Sequence, residues 1–118
     1  MMRGKIVKVA LQGDYGKPRP ALVIQSDLFK EHPSVTVLPI TSELRETPLF
    51  RFSIEPTATN GLLKTSQVMI DKAHTLPREK LSEPVGWIKE SQLLAINRLL
   101  ACIVSGSCLK NWSLKRGL

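Results

Sequence analysis

The chain has 118 residues, which is enough for one compact domain and too few for two independent cores. Hydrophobic residues account for 42% of the sequence and charged residues for 23%, and this balance excludes an intrinsically disordered or collagen-like chain. No apolar run approaches the roughly 18 residues that span a bilayer, and the first residues lack the apolar core of a signal peptide. We therefore expect a cytoplasmic protein that has no membrane partner.

The charge of the chain is strongly positive. Its 17 Lys and Arg residues outnumber 10 Asp and Glu residues, which gives a net charge of +7 and an isoelectric point near 9.8. The excess lies mainly in residues 1–20 and 101–118. Such a charge favours a polyanionic partner such as nucleic acid, whereas an aromatic content of only 5% argues against binding mainly by base stacking.

The cysteine content is low. Cys102 and Cys108 are six residues apart, one in an apolar stretch and the other in a polar tail. This pattern indicates neither a disulfide framework nor a zinc site.

Short apolar and β-branched runs separated by turn residues predict a series of strands. In chain order these runs are Lys5–Val9, Pro20–Ser26, Val35–Ile40, Phe50–Ile54 and Ser66–Asp71. The Gly, Asp and Pro content of Gln12–Pro18 predicts a loop between the first two strands, and Asn60-Gly61 is a turn signal. Because proline lacks an N–H, Pro39 predicts that the third strand ends or bulges there.

Helical periodicity is clear near the end of the chain. Leu93, Ile96, Leu100 and Ile103 recur at three- and four-residue spacing, and Leu94, Leu99 and Val104 widen this stripe. We expect this stripe to pack on the core, with Glu90 near the start of the helix and Gly106 at its end. Shorter helical segments are predicted at Asp27–Glu31 and Pro77–Leu81. The pattern predicts a mainly β, α+β domain over residues 1–106, in which a small curled antiparallel sheet or barrel is covered by the terminal helix.

Five short sequence fragments follow one another along the chain, each of them present once. They are Arg3-Gly4-Lys5-Ile6-Val7, Arg19-Pro20-Ala21-Leu22-Val23-Ile24, Leu38-Pro39-Ile40-Thr41-Ser42, Gly61-Leu62 followed by Ser66-Gln67-Val68 and Asp71, and Thr75-Leu76. Their order and spacing, from about residue 3 to residue 106, resemble the MazF/PemK/Kid family of toxin endoribonucleases.

The resemblance implies a fold, an activity and partners. The expected fold is an SH3-like antiparallel β-barrel of the CcdB/MazF type with a C-terminal helix. The expected activity is sequence-specific cleavage of single-stranded RNA, without a metal ion or other cofactor, by attack of the RNA's own 2′-hydroxyl. The expected assembly is a homodimer whose interface forms the RNA groove. A cognate antitoxin with an acidic segment is expected to occupy that groove.

The resemblance also assigns catalytic roles to Arg19, Thr41 and Asp71. Arginine can hold two phosphate oxygens at once, threonine can donate its hydroxyl to the same phosphate, and aspartate is a candidate base, although it can instead orient Arg19 or contact a base of the RNA. The chain departs from the Kid-type pattern in having Met69 where an arginine is usual, and in a shorter loop before Arg19.

Further candidates for contact with phosphates or bases are Lys17, Ser42, Ser66 and His74. Imidazole exchanges protons near neutral pH, but we expect a binding role for His74 rather than a catalytic one. Beyond residue 106, the basic tail 107–118 could add nonspecific attraction to phosphates.

Two other functions remain open at this level. CcdB-like toxins share the predicted fold but bind gyrase, which would make the chain a protein-binding toxin. A non-catalytic RNA-binding barrel is the other possibility. The presence of Arg19 and Thr41 at the spacing of the family favours the endoribonuclease.

Overall fold

The described strands of this protein are short, and all of them lie before its α-helix. The computed structural model describes residues 3–10, 17–46 and 50–106. The described strands are β1 (Lys5–Ala10), β2 (Pro18–Val23), β3 (Ser34–Thr41), β4 (Arg51–Ile54), β5 (Ser66–Met69), β6 (His74–Pro77) and β7 (Gly86–Trp87). Two 3₁₀ turns, Asp27–Phe29 and Arg78–Lys80, and the helix α1 (Glu90–Ser105) complete the described elements.

The sheet is antiparallel, in the order β4-β5-β3-β2-β1-β7, with β6 also paired to β3. Strand β3 is central because β2 lies along one edge of it, whereas β6 and β5 share the other edge. The expected curled antiparallel sheet with a terminal helix is confirmed. The sequence analysis missed β6 and β7, which have only four and two residues and therefore carry little periodic signal.

The predicted end of the third strand at Pro39 is wrong, since β3 continues to Thr41. Ile24 donates its N–H to the carbonyl of Thr36, so even-numbered residues of β3 turn their backbone groups towards β2. Pro39 therefore faces the opposite edge. Along that edge, β3 pairs with β6 up to Val37 and with β5 from Ile40 onwards. Pro39 lies between these two stretches, so its missing N–H interrupts no hydrogen-bonded pair.

The two faces of the sheet carry separate apolar clusters. One cluster packs against the helix, and its members are Ile6, Leu22, Leu38, Ile40, Ile54, Val68, Ile70, Ile88, Leu93 and Ile96. The other lies on the opposite face and consists of Val7, Val9, Ala21, Val23, Val35 and Val37, with Leu76 and Leu81 against it. Strands β1, β2 and β3 contribute alternate residues to the two clusters, so their central part is buried on both sides.

The helix begins at Glu90 and is followed by Gly106, which has a left-handed φ of 71° and donates its N–H to Cys102. Both predicted ends are confirmed. The predicted core stripe is correct for Leu93, Ile96, Leu99 and Leu100, which pack on the core, and wrong for Leu94, Ile103 and Val104, which are exposed. Val104 shares the helical face of Leu93, but it lies about three turns further along the axis, beyond the residues that reach the sheet.

Several remaining predictions concern the ends of elements. The 3₁₀ turn Arg78–Lys80 confirms the helical turn predicted at Pro77–Leu81, whereas the short helix predicted at Asp27–Glu31 is a 3₁₀ turn, Asp27–Phe29. Cys102 is buried, and Cys108 and the predicted basic tail lie outside the described residues. Among the described helices, none has the length and apolar character that crossing a membrane requires.

Candidate active site

A cleft of about 720 Å³ opens beside the adjoining ends of β2 and β3. One part of its wall comes from these two strands and the residues after β3. The other part comes from the segment before β5 and the turn that follows it. The lining residues are Lys8, Pro18, Arg19, Pro20, Pro39, Ile40, Thr41, Ser42, Glu43, Gly61, Leu62, Leu63, Lys64, Ser66, Met69, Lys72, His74 and Val85.

The fold brings Arg19 and Thr41 to the same cleft. Strands β2 and β3 are paired from Val23 and Val37 to Ala21 and Pro39, and Arg19 and Thr41 each lie two residues beyond the last of these pairs, at the adjoining ends of the two strands. Both side chains line the cleft. Two residues that are 22 positions apart in sequence therefore belong to one surface.

The hydroxyl of Thr41 has a defined hydrogen-bonding state. Its Oγ1 accepts the N–H of Glu43 at 3.0 Å. Since a hydroxyl has one proton and two lone pairs, this bond uses a lone pair and leaves the proton to be donated elsewhere. Thr41 is half-buried at the end of β3, whereas Arg19 is exposed, so the pair combines an ordered neutral donor with a charged one.

The charge of the cleft is mainly positive. Lys8, Lys64 and Lys72 join Arg19 in its lining, and Glu43 is the acidic residue among the described lining residues. The sequence does not indicate that these lysines belong together, because each lies in a different element or loop and only the fold brings them to one surface. A cleft with this charge attracts a polyanion.

The wall opposite Thr41 is rigid for a local reason. The buried side chain of Asn60 accepts the N–H groups of Thr57 and Leu62 and donates to the carbonyl of Glu55. Gly61 follows with a φ of +70°, as the predicted turn requires, and a Cβ here would lie 2.6 Å from the carbonyl oxygen of Val85. The predicted Asn-Gly turn is thus present and sets the position of the lining residues that follow it.

The predicted site residues fall into two groups. Arg19, Thr41, Ser42, Ser66 and His74 all line the cleft. Ser66 is 5% exposed, and its hydroxyl donates to the carbonyl of Lys64 at 2.9 Å, so it fixes the wall as well as lining it.

Lys17 and Asp71 are the predicted site residues that the structure does not place in the lining. Lys17 is exposed immediately before β2, and Asp71 is exposed in the turn after β5. Its neighbours Met69 and Lys72 do line the cleft. In the described part of the chain, no three His, Cys, Asp or Glu side chains gather in a group that could hold a metal ion.

The comparison with known proteins identifies the family. Residues 2–104 match the family described as PemK-like, MazF-like toxin of type II toxin–antitoxin system. The chain belongs to this family. It is 46% identical over 101 residues to the probable endoribonuclease MazF of Mycolicibacterium smegmatis, a match that covers 85% of this chain and 93% of that protein. The resemblance inferred from the five fragments is therefore confirmed.

Solved structures agree with the fold of this toxin. The Mycobacterium tuberculosis toxin MazF-mt6 has a TM-score of 0.70 at 28% identity, covering 82% of this chain and 92% of that one. A mycobacterial endoribonuclease in complex with its cognate antitoxin has a TM-score of 0.74 at 22% identity, covering 88% of this chain and 94% of that one. These likenesses support the mainly β fold with a terminal helix.

Proposed function

We propose that this toxin is an endoribonuclease that cuts single-stranded RNA at short sequences, using the substrate's 2′-hydroxyl as nucleophile and no metal ion. Family membership supports the activity. The observation that carries the mechanism is that Arg19 and Thr41 both line one basic cleft, at the adjoining ends of β2 and β3. In the proposed reaction this pair supplies a fixed positive charge and an oriented hydroxyl to the same phosphate.

The proposed reaction is an internal transfer at phosphorus. The 2′-oxygen of the RNA bonds to the adjacent phosphorus and loses its proton, while the bond from phosphorus to the 5′-oxygen breaks and that oxygen gains a proton. The products are a 2′,3′-cyclic phosphate and a free 5′-hydroxyl. Arg19 neutralises the extra negative charge of the five-coordinate state, and Thr41 donates a hydrogen bond to the same group.

The proton transfers need groups that can accept and donate a proton near the phosphate. His74 lines the cleft at the start of β6, where its backbone pairs with Val37. In place of the binding role expected from the sequence, we assign the proton transfers to His74, because one imidazole nitrogen can accept a proton while the other donates one. Asp71 lies in the turn beside the cleft, and we assign it the orienting or base-contacting role instead of that of base.

Binding of the strand relies on the cations of the cleft. Lys8, Lys64 and Lys72 would contact phosphates on either side of the cleaved bond. Lys17, just before β2, and Ser42, next to Thr41 in sequence, would add further contacts with the strand. Such contacts position the strand without reading its sequence. The same charges suit the acidic segment of a cognate antitoxin, which would prevent cleavage by occupying the cleft.

We also propose that the toxin acts as a homodimer. Its outermost strands β4 and β7 leave backbone edges, and the helix exposes Leu94, Ile103 and Val104, so a two-fold partner could cover both kinds of surface. Light scattering of the purified chain should give about twice its mass of 13.2 kDa. A monomer at micromolar concentration would exclude an RNA groove formed at a dimer interface.

The function itself is tested by incubating the purified chain with a long RNA of mixed sequence in a buffer without divalent metal. Cutting at a small set of short sequences is the expected result. A gyrase-binding toxin or a non-catalytic RNA-binding barrel would leave the RNA intact. In that case gel-shift assays on the same RNA and gyrase inhibition assays would separate these two functions.

A further inference from the structure

The side-chain amide of Gln67 binds the backbone of the segment Glu43–Arg45, which follows β3, through the hydrogen bonds that a neighbouring strand would otherwise supply. Its Oε1 accepts the N–H of Arg45 at 2.8 Å, and its Nε2 donates to the carbonyl of the same residue at 2.9 Å. Gln67 lies on β5 opposite Thr41 and is only 8% exposed. A buried amide therefore satisfies both backbone groups of one residue in an otherwise irregular segment.

Arg51 holds the same segment two residues earlier. Its Nη1 donates to the carbonyl of Glu43 at 2.8 Å and also to Oε1 of Gln67 at 3.3 Å. The N–H of Glu43 is in turn the group that donates to the hydroxyl of Thr41. Both backbone groups of Glu43 and both of Arg45 are thus held in place, by three side chains that start from three different strands.

We infer that Gln67 and Arg51 are positioning residues for cleavage, which act by fixing the segment Glu43–Arg45 and, through it, the hydroxyl of Thr41. This inference rests on the proposed function, because it concerns the same phosphate-contacting group. With the segment fixed, the N–H of Glu43 engages one lone pair of Thr41, and the hydroxyl proton points away from it. With the segment released, that hydroxyl rotates among several acceptors, and its bond to the phosphate becomes intermittent.

The inference predicts an effect on turnover rather than on binding. The cations of the cleft, which supply the attraction for RNA, are not part of this network. Replacing Gln67 with leucine keeps the approximate size of the side chain but removes every hydrogen bond. We expect kcat of Gln67→Leu to fall about tenfold while KM changes less than about twofold, because an interaction important in the transition state is weakened.

The matched control is Ser53→Ala. Ser53 accepts a longer hydrogen bond from Gln67, at 3.3 Å, and does not contact the segment, so its kcat should stay at the wild-type value. Arg51→Met tests the same network from an edge strand, where the substitution removes no buried core volume. Arg51→Lys can still donate to Glu43 and should restore most of the activity that Arg51→Met loses. Wild-type kcat in both Gln67→Leu and Arg51→Met would overturn the inference.

A double-mutant cycle with Thr41→Ala separates positioning from general weakening of the fold. If Gln67 acts through Thr41, the loss from Gln67→Leu largely disappears once the hydroxyl is absent. Equal losses in the two backgrounds would overturn the inference. Amide exchange at Arg45 provides a readout that needs no activity, and it should be faster in Gln67→Leu than in the wild type. If exchange is faster in Gln67→Leu but the wild-type protein does not cleave RNA, the proposed function is wrong and the network stands. If exchange at Arg45 is the same in both proteins, the network itself is contradicted.

Discussion

Arg19→Ala is expected to lower the rate of RNA cleavage by more than about 100-fold, the scale of one lost transition-state donor in a preorganised site. Arg19 is exposed at the cleft end of β2, so its truncation removes a charge without removing core volume. Arg19→Lys keeps the charge but not the two-pronged geometry, and it should recover part of the activity. Thr41→Ala should lose less than Arg19→Ala, since a neutral donor is weaker than a charged one.

The matched control for this prediction is Arg98→Ala. Arg98 is exposed on the helix and does not line the cleft, so this variant loses the same charge elsewhere. Initial rates at saturating RNA, together with thermal unfolding of each variant, give the comparison. Rapid cleavage by a folded Arg19→Ala protein would show that the catalytic pair has been assigned to the wrong residue.

Replacing the 2′-hydroxyl by hydrogen at the single nucleotide before the cut should abolish cleavage, because that oxygen is the proposed nucleophile. The position of the cut is first mapped on RNA of mixed sequence, and an oligonucleotide with one deoxynucleotide at that position is then compared with its all-RNA counterpart. Moving the deoxynucleotide two positions away serves as the control and should leave the rate nearly unchanged. The products of the all-RNA substrate should carry a cyclic phosphate and a 5′-hydroxyl.

The same substrates test the role of metal ions. Activity should persist in excess EDTA, because in the proposed reaction Arg19 and Thr41 stabilise the negative charge on the phosphate that a bound metal ion would otherwise stabilise. Strict dependence on Mg²⁺, or cutting at the deoxynucleotide, would require a different nucleophile and therefore a different mechanism.

The sequence predicts the elements of this fold well where they are long and periodic. The short apolar and β-branched runs of β1 to β5 and the helical stripe from Leu93 were sufficient to indicate a sheet covered by a terminal helix. Pro39 misled the prediction because a proline ends a strand only when its missing N–H would have had a partner. That depends on which strands lie beside β3, and sequence periodicity does not specify neighbours.

The proposed catalytic pair could be assigned only through resemblance to a family. Without it, Arg19 is an arginine before a proline and Thr41 is a threonine at a strand end. That both line one cleft depends on how β2 and β3 pair. The sequence did not indicate that Lys8, Lys64 and Lys72 share a surface, because they are distributed over one strand and two loops. It also did not indicate the proposed positioning roles of Gln67 and Arg51, since each binds backbone groups, which every residue type carries.

The central position of β3 has a consequence for how this toxin must be controlled. Its pairing with β2 on one edge and with β5 and β6 on the other holds the strand that ends at Thr41, so the proposed catalytic hydroxyl is in place once the sheet has formed. Under the proposed mechanism, a chain becomes able to cut RNA as soon as it has folded and dimerised. In a cell, restraint would have to be ready by that moment, which favours synthesis of the antitoxin in excess.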